Sequence, residues 1–302
     1  MPTKPLESIL YRELSRASAR DLIEVACPLL QELVNHATNA LSRCALSSSG
    51  KTDVDLAGLA LYRHLIEITD GIEVLVSQCC ALPAIPLLRS SFESLLAIEY
   101  LLKEKTEYER RALSWFVSYA YQRLALYERL DPTSGRGKQA RDQYKDDLVL
   151  LHLENLPLEK IPAAEENLRD LLAKPHLQGV VAEYARFKHP HWYQLFSGPP
   201  NLERLARHLR RSALYDVLYR PWSRHAHAQD LVPLLQGSKR GKFSLGRVRE
   251  PSQLRQVSGL AASFMLSGTR QMLAWYRPGE NLKRWYTEEV QQRYNAINIT
   301  TT

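Results

Sequence analysis

The sequence predicts an all-α protein, a multi-helix bundle of about eight to ten helices with a projecting charged helical segment. Apolar residues recur at spacings of three and four along most of the 302 residues. No segment combines strict alternation, β-branched residues and hairpin turns, so strands are at most incidental. Hydrophobic residues make up 45% of the chain and charged ones 24%, which is enough apolar material to bury a core.

The first four helices are predicted from their periodicity and from the turns that separate them. A polar turn at 47–53 offers good N-cap residues for the second helix. Pro83 and Pro86 come just before the third helix, where proline is tolerated. The fourth helix is rich in aromatic residues. We expect these helices at 21–41, 54–80, 87–102 and 107–130.

The second half of the chain is predicted to be helical with two interruptions. The turn 131–137 precedes a charged, weakly apolar stretch that predicts projecting helical hairpins. Prolines break the stretch 188–200. We expect further helices at 202–209, 212–235, 253–276 and 282–294.

These elements predict a single helical domain over residues 1–302. Within it, 54–130 and 175–235 form the core bundle, 131–174 is a charged helical insertion, and 236–302 contributes basic C-terminal helices.

The positive charge is concentrated in the last third of the chain. Residues 201–302 hold 17 Lys and Arg against 7 Asp and Glu, although the whole chain carries only +7. The segments 238–242 and 247–249 are basic and flank Phe243, a pattern that suits a nucleic-acid backbone. This part of the chain is predicted to contact RNA; the alternative is an ordinary solvated basic surface.

Nothing in the sequence predicts secretion or a membrane span. The first seven residues lack the apolar core of a signal peptide, and the apolar stretches are broken by charge. The four cysteines show no metal-binding or disulfide spacing and are expected to be buried, reduced thiols. We therefore expect a cytoplasmic protein.

The segment 218–227 carries the strongest signal for a functional site. It contains two arginines, a serine and two histidines, and histidine readily changes its protonation near neutral pH. Tyr219, Ser223 and His227 recur every four residues, which places them on one face of a helix beside Arg220. Pro221 leaves open whether Tyr219 and Arg220 lie in that helix or just before it.

A second polar motif lies in the third predicted helix. Arg89 and Glu93 are four residues apart and are surrounded by apolar positions, so they are expected to pair on one face. Two interpretations stay open for both motifs: a polar site that Arg89 and Glu93 share with Ser223 and His227, or structural clamps between helices. A metal site at His227 is the least favoured reading, because the Glu-x-x-His pairs of helical metal proteins are missing.

These motifs resemble a bacterial family without an assigned activity, the domain-of-unknown-function family 5677. The resemblance rests on the Arg-x-x-x-Glu helix at 84–93, the Trp-containing loop at 191–192, and the Tyr-x-x-x-Ser-x-x-x-His helix at 219–227. It covers about residues 55–235 and implies an all-helical fold.

A looser resemblance is to HEPN ribonucleases, helical proteins of toxin and antiphage systems. Their active site is an arginine followed, after four to six residues, by a histidine. Arg220 fits with either His225 or His227, although Pro221 stands where a polar residue is usual. This resemblance implies metal-independent RNA cleavage in a bacterial defence or toxin system, at sites formed across a homodimer.

The HEPN resemblance, together with the helical spacing of these motifs, implies roles for residues of this chain. His227 is expected to be the general acid/base, Arg220 the phosphate-stabilising group and Ser223 an orienting hydrogen-bonder. Substrate-binding positions are expected at Arg89, Glu93, Tyr219, Trp192 and Arg224, with no metal and no cofactor. The competing interpretation is a non-catalytic helical module that binds a partner protein or a small anion.

Overall fold

A computed structural model describes residues 10–48, 52–146, 160–227, 235–237, 243–245 and 248–298. The predicted all-α class is confirmed. The described residues form twelve helices, slightly more than the eight to ten expected, and one antiparallel pair of short strands. The strand β1, Leu235–Gly237, pairs with β2, Phe243–Leu245, and this pair is incidental to the helical architecture.

The helices fall into two compact units, one made of residues 1–103 and 202–302 and the other of residues 104–201. The first unit begins with α1 (Arg12–Ser18), α2 (Arg20–Leu46), α3 (Thr52–Ser77) and α4 (Ala81–Leu102). It continues with α9 (Leu202–His208) and with α10, which runs from Ser212–Leu214 through a π-helical turn, Tyr215–Tyr219, into Arg220–Ala226.

Two helices complete the first unit. The long helix α11 spans Leu254–Tyr276. The last helix, α12, begins at Lys283–Trp285, passes through a π-helical turn at Tyr286–Val290 and ends with Gln291–Asn298.

The core of the first unit is formed by α2, α3, α4 and α11, which pack against one another. Tyr62 is fully buried there, and its hydroxyl donates a hydrogen bond of 2.9 Å to Oγ1 of Thr269. The helices α3 and α11 approach closely at Gly268, where an added Cβ would lie 2.5 Å from Cδ2 of Leu65. Phe92 on α4 is 1% exposed and anchors the helix that carries the first polar motif.

The second unit is built on α5 (Tyr108–Leu130), against which α6 (Gly135–Tyr144), α7 (Ile161–Ala173) and α8 (Gln178–Tyr184) pack. Tyr121 and Tyr184 stack with ring centroids 4.4 Å apart. The predicted domain plan, with 54–130 in the core and 131–174 as an insertion, stays a prediction. In the structure α5 packs against α6, α7 and α8, and it belongs with them to the second unit.

One described helix, α4, has the length and mean hydropathy of a membrane span by those two criteria alone. Of its most apolar window, 56% is buried inside the protein. Such burial is typical of the core helix of a soluble protein, since the apolar surface is covered by neighbouring helices.

Candidate functional site

The helix α4 presents Arg89 and Glu93 on one face, as their spacing predicts. Pro83 lies in the first turn of the helix, where a missing N–H group costs little, whereas Pro86 lies inside the helix. Nε of Arg89 donates to Oε1 of Glu93 at 3.2 Å. The Arg89 side chain is 24% exposed and that of Glu93 42%, so the pair is half-buried rather than sealed in the core.

Tyr219 on α10 joins this pair across 130 residues of sequence. Its hydroxyl donates to Oε1 of Glu93 at 2.7 Å and accepts from Nε of Arg89 at 3.0 Å. The Arg89 guanidinium also lies over the Tyr219 ring, 5.0 Å from its centroid. Three side chains from two helices therefore satisfy one another.

Burial and hydrogen bonds determine the protonation of Tyr219 and Arg89. Burial, and then the hydrogen bond to Glu93, raise the pKa of Tyr219 well above its ordinary value. Burial of Arg89 works against its charge, but the contacts with Tyr219 and Glu93 outweigh it, so its pKa is raised as well. Tyr219 thus keeps its proton and Arg89 its charge at any pH near neutrality.

His227 lies beside Arg89 at the end of α10. Its Nε2 is 3.3 Å from Nη1 of Arg89, and the residue is exposed to solvent. A guanidinium can only donate, so this contact is a hydrogen bond only when Nε2 carries no proton. This hydrogen bond therefore requires the tautomer that has its proton on Nδ1. We call Arg89, Glu93, Tyr219 and His227 the motif cluster.

The path of α10 explains how Tyr219 and His227 both reach α4. Tyr219 ends the π-helical turn, and Pro221 follows in the first turn of Arg220–Ala226. Proline cannot donate to the usual carbonyl of the preceding turn and its ring crowds that carbonyl; a wide π turn just before it relieves both problems. Tyr219 and Arg220 consequently lie inside one continuous helix, which settles the alternative that the sequence left open.

Arg220 is directed toward other partners. Its Nη2 lies 3.0 Å from Oδ1 of Asp216 and 3.3 Å from Oε2 of Glu203. Its guanidinium also covers the ring of Tyr215 at 5.2 Å. No contact among the described residues joins Arg220 to His227. The arginine beside the histidine is Arg89.

The other sequence-predicted positions are placed as follows. Ser223 is half-buried on α10, and its backbone carbonyl accepts from the N–H of His227 at 3.1 Å. Arg224 is exposed on the same helix. Trp192 belongs to the second unit, where it begins a 3-10 turn and meets the edge of Tyr193 at 5.7 Å between centroids.

The predicted basic loop is only partly described. Residues 238–242 and Arg247 lie outside the described residues. Arg249 is 8% exposed, and its Nη1 donates to the backbone carbonyl of Gln78. Arg249 is therefore a packing residue, so it does not offer a free charge to a polyanion.

Sequence reasoning missed the two carboxylates that hold Arg220. Asp216 stands four residues before Arg220, which is the spacing of a helical ion pair and could have been recognised. Glu203 lies on α9 and has no local signal. Within the described part of the chain, no three or more His, Cys, Asp or Glu residues are grouped so that they could hold a metal ion.

Comparison with known proteins identifies a family. The sequence model of a family of unknown function, DUF5677, matches residues 55–240, a range that contains the whole motif cluster. No curated protein and no solved structure matches the chain at a significant level.

Proposed function

The chain belongs to the family of unknown function DUF5677, and we propose from the chemistry of its motif cluster that it cleaves RNA without a metal ion, with Arg89 in the role that the HEPN spacing predicts for Arg220. The family model covers the residues of the motif cluster, but the family has no assigned activity. The residues that support the proposal are therefore those of this chain.

The contact between Arg89 and His227 is the single observation that carries the proposal. An exposed imidazole lies 3.3 Å from a half-buried guanidinium, so a proton acceptor and a fixed positive charge share one solvent-facing position. Arg89 is held in place by Glu93 and Tyr219, which is the preorganisation that electrostatic catalysis requires. Nη2 of Arg89 has no hydrogen-bond partner among the described residues and is available to a phosphate oxygen.

The reaction follows from these groups. When RNA binds, Nη1 of Arg89 exchanges its contact with Nε2 of His227 for the phosphate. The 2′-hydroxyl of a ribose then attacks the adjacent phosphorus, and the freed Nε2 of His227 accepts the hydroxyl proton. The bond from phosphorus to the 5′-oxygen breaks, and the 5′-oxygen takes a proton from solvent. Arg89 stabilises the extra negative charge of the pentavalent phosphorane, and Ser223 orients the substrate. The products are a 2′,3′-cyclic phosphate and a 5′-hydroxyl.

Several parts of the proposal rest on the sequence and on the HEPN resemblance. The basic residues 236–302 would hold the RNA backbone, and two copies of the chain would place their sites face to face in a homodimer. The enzyme would act in the cytoplasm, in a bacterial defence or toxin system. All of these parts depend on the premise that the motif cluster binds the phosphate group of RNA.

A second function is favoured by a different observation. Glu93 and Tyr219 already satisfy Nε of Arg89, and Asp216 and Glu203 already hold Arg220. Such closed pairing suits a non-catalytic module in which the polar motifs fix the register of α4 and α10 while a partner protein or small anion binds elsewhere.

The test compares two histidines of the same helix. Purified chain is incubated with total RNA in EDTA, as wild type, His227→Ala and His225→Ala. His225 is half-buried and lies outside the motif cluster, so it is the matched control. We expect cleavage by wild type and His225→Ala and a loss of about 100-fold or more in His227→Ala, the usual contribution of an acid/base group.

Circular dichroism checks that each variant is folded. A wild-type chain that does not cleave, or equal cleavage by wild type and His227→Ala, overturns the ribonuclease proposal and leaves the non-catalytic module.

A further inference from the structure

A second concave site lies in the first unit, away from the motif cluster in sequence. It is a cavity of about 820 Å³, formed by the C-terminal half of α11, the turn that follows it, and the first turns of α12. The size is typical of small-molecule sites. Most of its lining residues fall beyond the segment that the family model matches, so the cavity is a feature of this chain outside the shared region.

Apolar and aromatic side chains form much of the wall, among them Leu273, Trp285 and Tyr286. Trp285 is held rigidly: its Nε1 donates to Oε1 of Glu32 at 2.7 Å, and its ring stacks on His36 with centroids 3.7 Å apart. A fixed indole offers a flat, low-entropy surface for another ring.

The one carboxylate in the wall is neutralised. Oε1 of Glu280 accepts from Nη2 of Arg43 at 2.7 Å, and Oε2 accepts from Nε of Arg277 at 3.0 Å. The hydrogen bond from Arg43, together with Arg277, lowers the pKa of Glu280 below its ordinary value despite partial burial. Glu280 is therefore ionised, and its charge is taken up by two arginines.

Two cations in the wall lack such compensation. Arg270 on α11 and Lys283 on α12 are exposed, and the charged group of neither forms an ion pair or a hydrogen bond with a described residue. A third, Arg211, is already bound to Glu99 at 2.6 Å. The cavity consequently combines a flat aromatic wall with two uncompensated positive charges.

We propose that this cavity binds a small organic anion that joins a planar aromatic ring to a phosphate or carboxylate group. The ring lies against Trp285 and Tyr286, and the anionic group is bound by Arg270 and Lys283. Neither the ring nor the anionic group alone matches the site. A bare phosphate leaves the aromatic wall exposed to solvent, and a neutral ring leaves Arg270 and Lys283 without a counter-charge.

Isothermal titration calorimetry with the full chain tests this pairing of ring and charge. The two probes are adenosine monophosphate, which carries a phosphate, and indole-3-acetate, which carries a carboxylate. Adenosine and inorganic phosphate are the half-probes of the first, and indole and acetate are those of the second. We expect at least one of the two complete probes to bind with a Kd below about 1 mM, and its own half-probes to bind at least about tenfold more weakly.

The double variant Arg270→Ala/Lys283→Ala is compared with Arg284→Ala. Arg284 is an exposed cation of the same helix that pairs with Glu288 and does not line the cavity. Affinity is expected to fall about tenfold or more in the double variant and to stay within about threefold in Arg284→Ala. The proposal is overturned if neither complete probe binds in the millimolar range, or if the double variant binds as wild type does.

Discussion

Replacing Tyr219 by phenylalanine removes one oxygen atom from the motif cluster and leaves its shape unchanged. The hydroxyl links α10 to α4, because it donates to Glu93 at 2.7 Å and accepts from Arg89 at 3.0 Å. The ring is 6% exposed and packs near Phe92, so phenylalanine fits the same space. The change therefore tests the hydrogen bonds rather than the packing.

The expected change in the free energy of unfolding depends on the interactions that Arg89 and Glu93 retain in the variant. A hydrogen bond to a charged group contributes about 1.5–3 kcal/mol, and two such bonds are lost. Arg89 and Glu93 still bind each other at 3.2 Å, and both reach solvent, which replaces part of the loss. We expect the free energy of unfolding to fall by about 1–2 kcal/mol.

Urea denaturation followed by circular dichroism measures this change. With a slope of about 3 kcal/mol/M for a chain of this size, the midpoint should fall by about 0.3–0.7 M. Tyr215→Phe is the matched control, because Tyr215 stacks on Tyr219 but its hydroxyl has no described hydrogen-bond partner. Its midpoint should move by less than about 0.2 M. Equal midpoints for the two variants would refute the role given to the Tyr219 hydroxyl.

Two further predictions concern the first unit outside the motif cluster. Arg211→Ala leaves the carboxylate of Glu99, which is 8% exposed, without its closest cation and should reduce the free energy of unfolding by about 2–4 kcal/mol. Arg284→Ala, which breaks an exposed pair, should cost less than about 0.5 kcal/mol; similar urea midpoints for the two variants would contradict the argument. Burial lowers the pKa of His36 below its ordinary 6.5, so the stability it supports is complete above that pH and is lost as the pH falls through the lower folded-state pKa. The urea midpoint should therefore drop more between pH 7.5 and 5.5 in wild type than in His36→Phe, and equal drops would show that His36 does not titrate in this way.

Local regularities made part of the site predictable. The periodicity of α4 fixes Arg89 and Glu93 four residues apart on one helical face, and the pair forms as expected. The same rule applied to α10 placed Tyr219 and His227 on a common side, and both meet Arg89. The all-α class could likewise be predicted, because apolar residues recur at intervals of three and four along nearly the whole chain.

Helical spacing cannot predict contacts between segments that are distant in sequence. Glu203 on α9 pairs with Arg220 on α10 because the two helices pack together, and no sequence pattern near either residue indicates this pair. Periodicity also could not show that the contacts of α5 are with the helices of a second unit. The sequence favoured Arg220 as the phosphate-binding arginine because of its spacing to His227, whereas the structure brings Arg89 to that histidine.

The choice between these two arginines tests the central claim most directly. RNA cleavage in EDTA is measured for wild type, Arg89→Ala and Arg220→Ala, with folding checked for each. We expect Arg89→Ala to lose about 100-fold or more of the cleavage rate, the usual effect of removing a transition-state donor, and Arg220→Ala to stay within about threefold of wild type. Full cleavage by Arg89→Ala together with loss in Arg220→Ala would contradict the account.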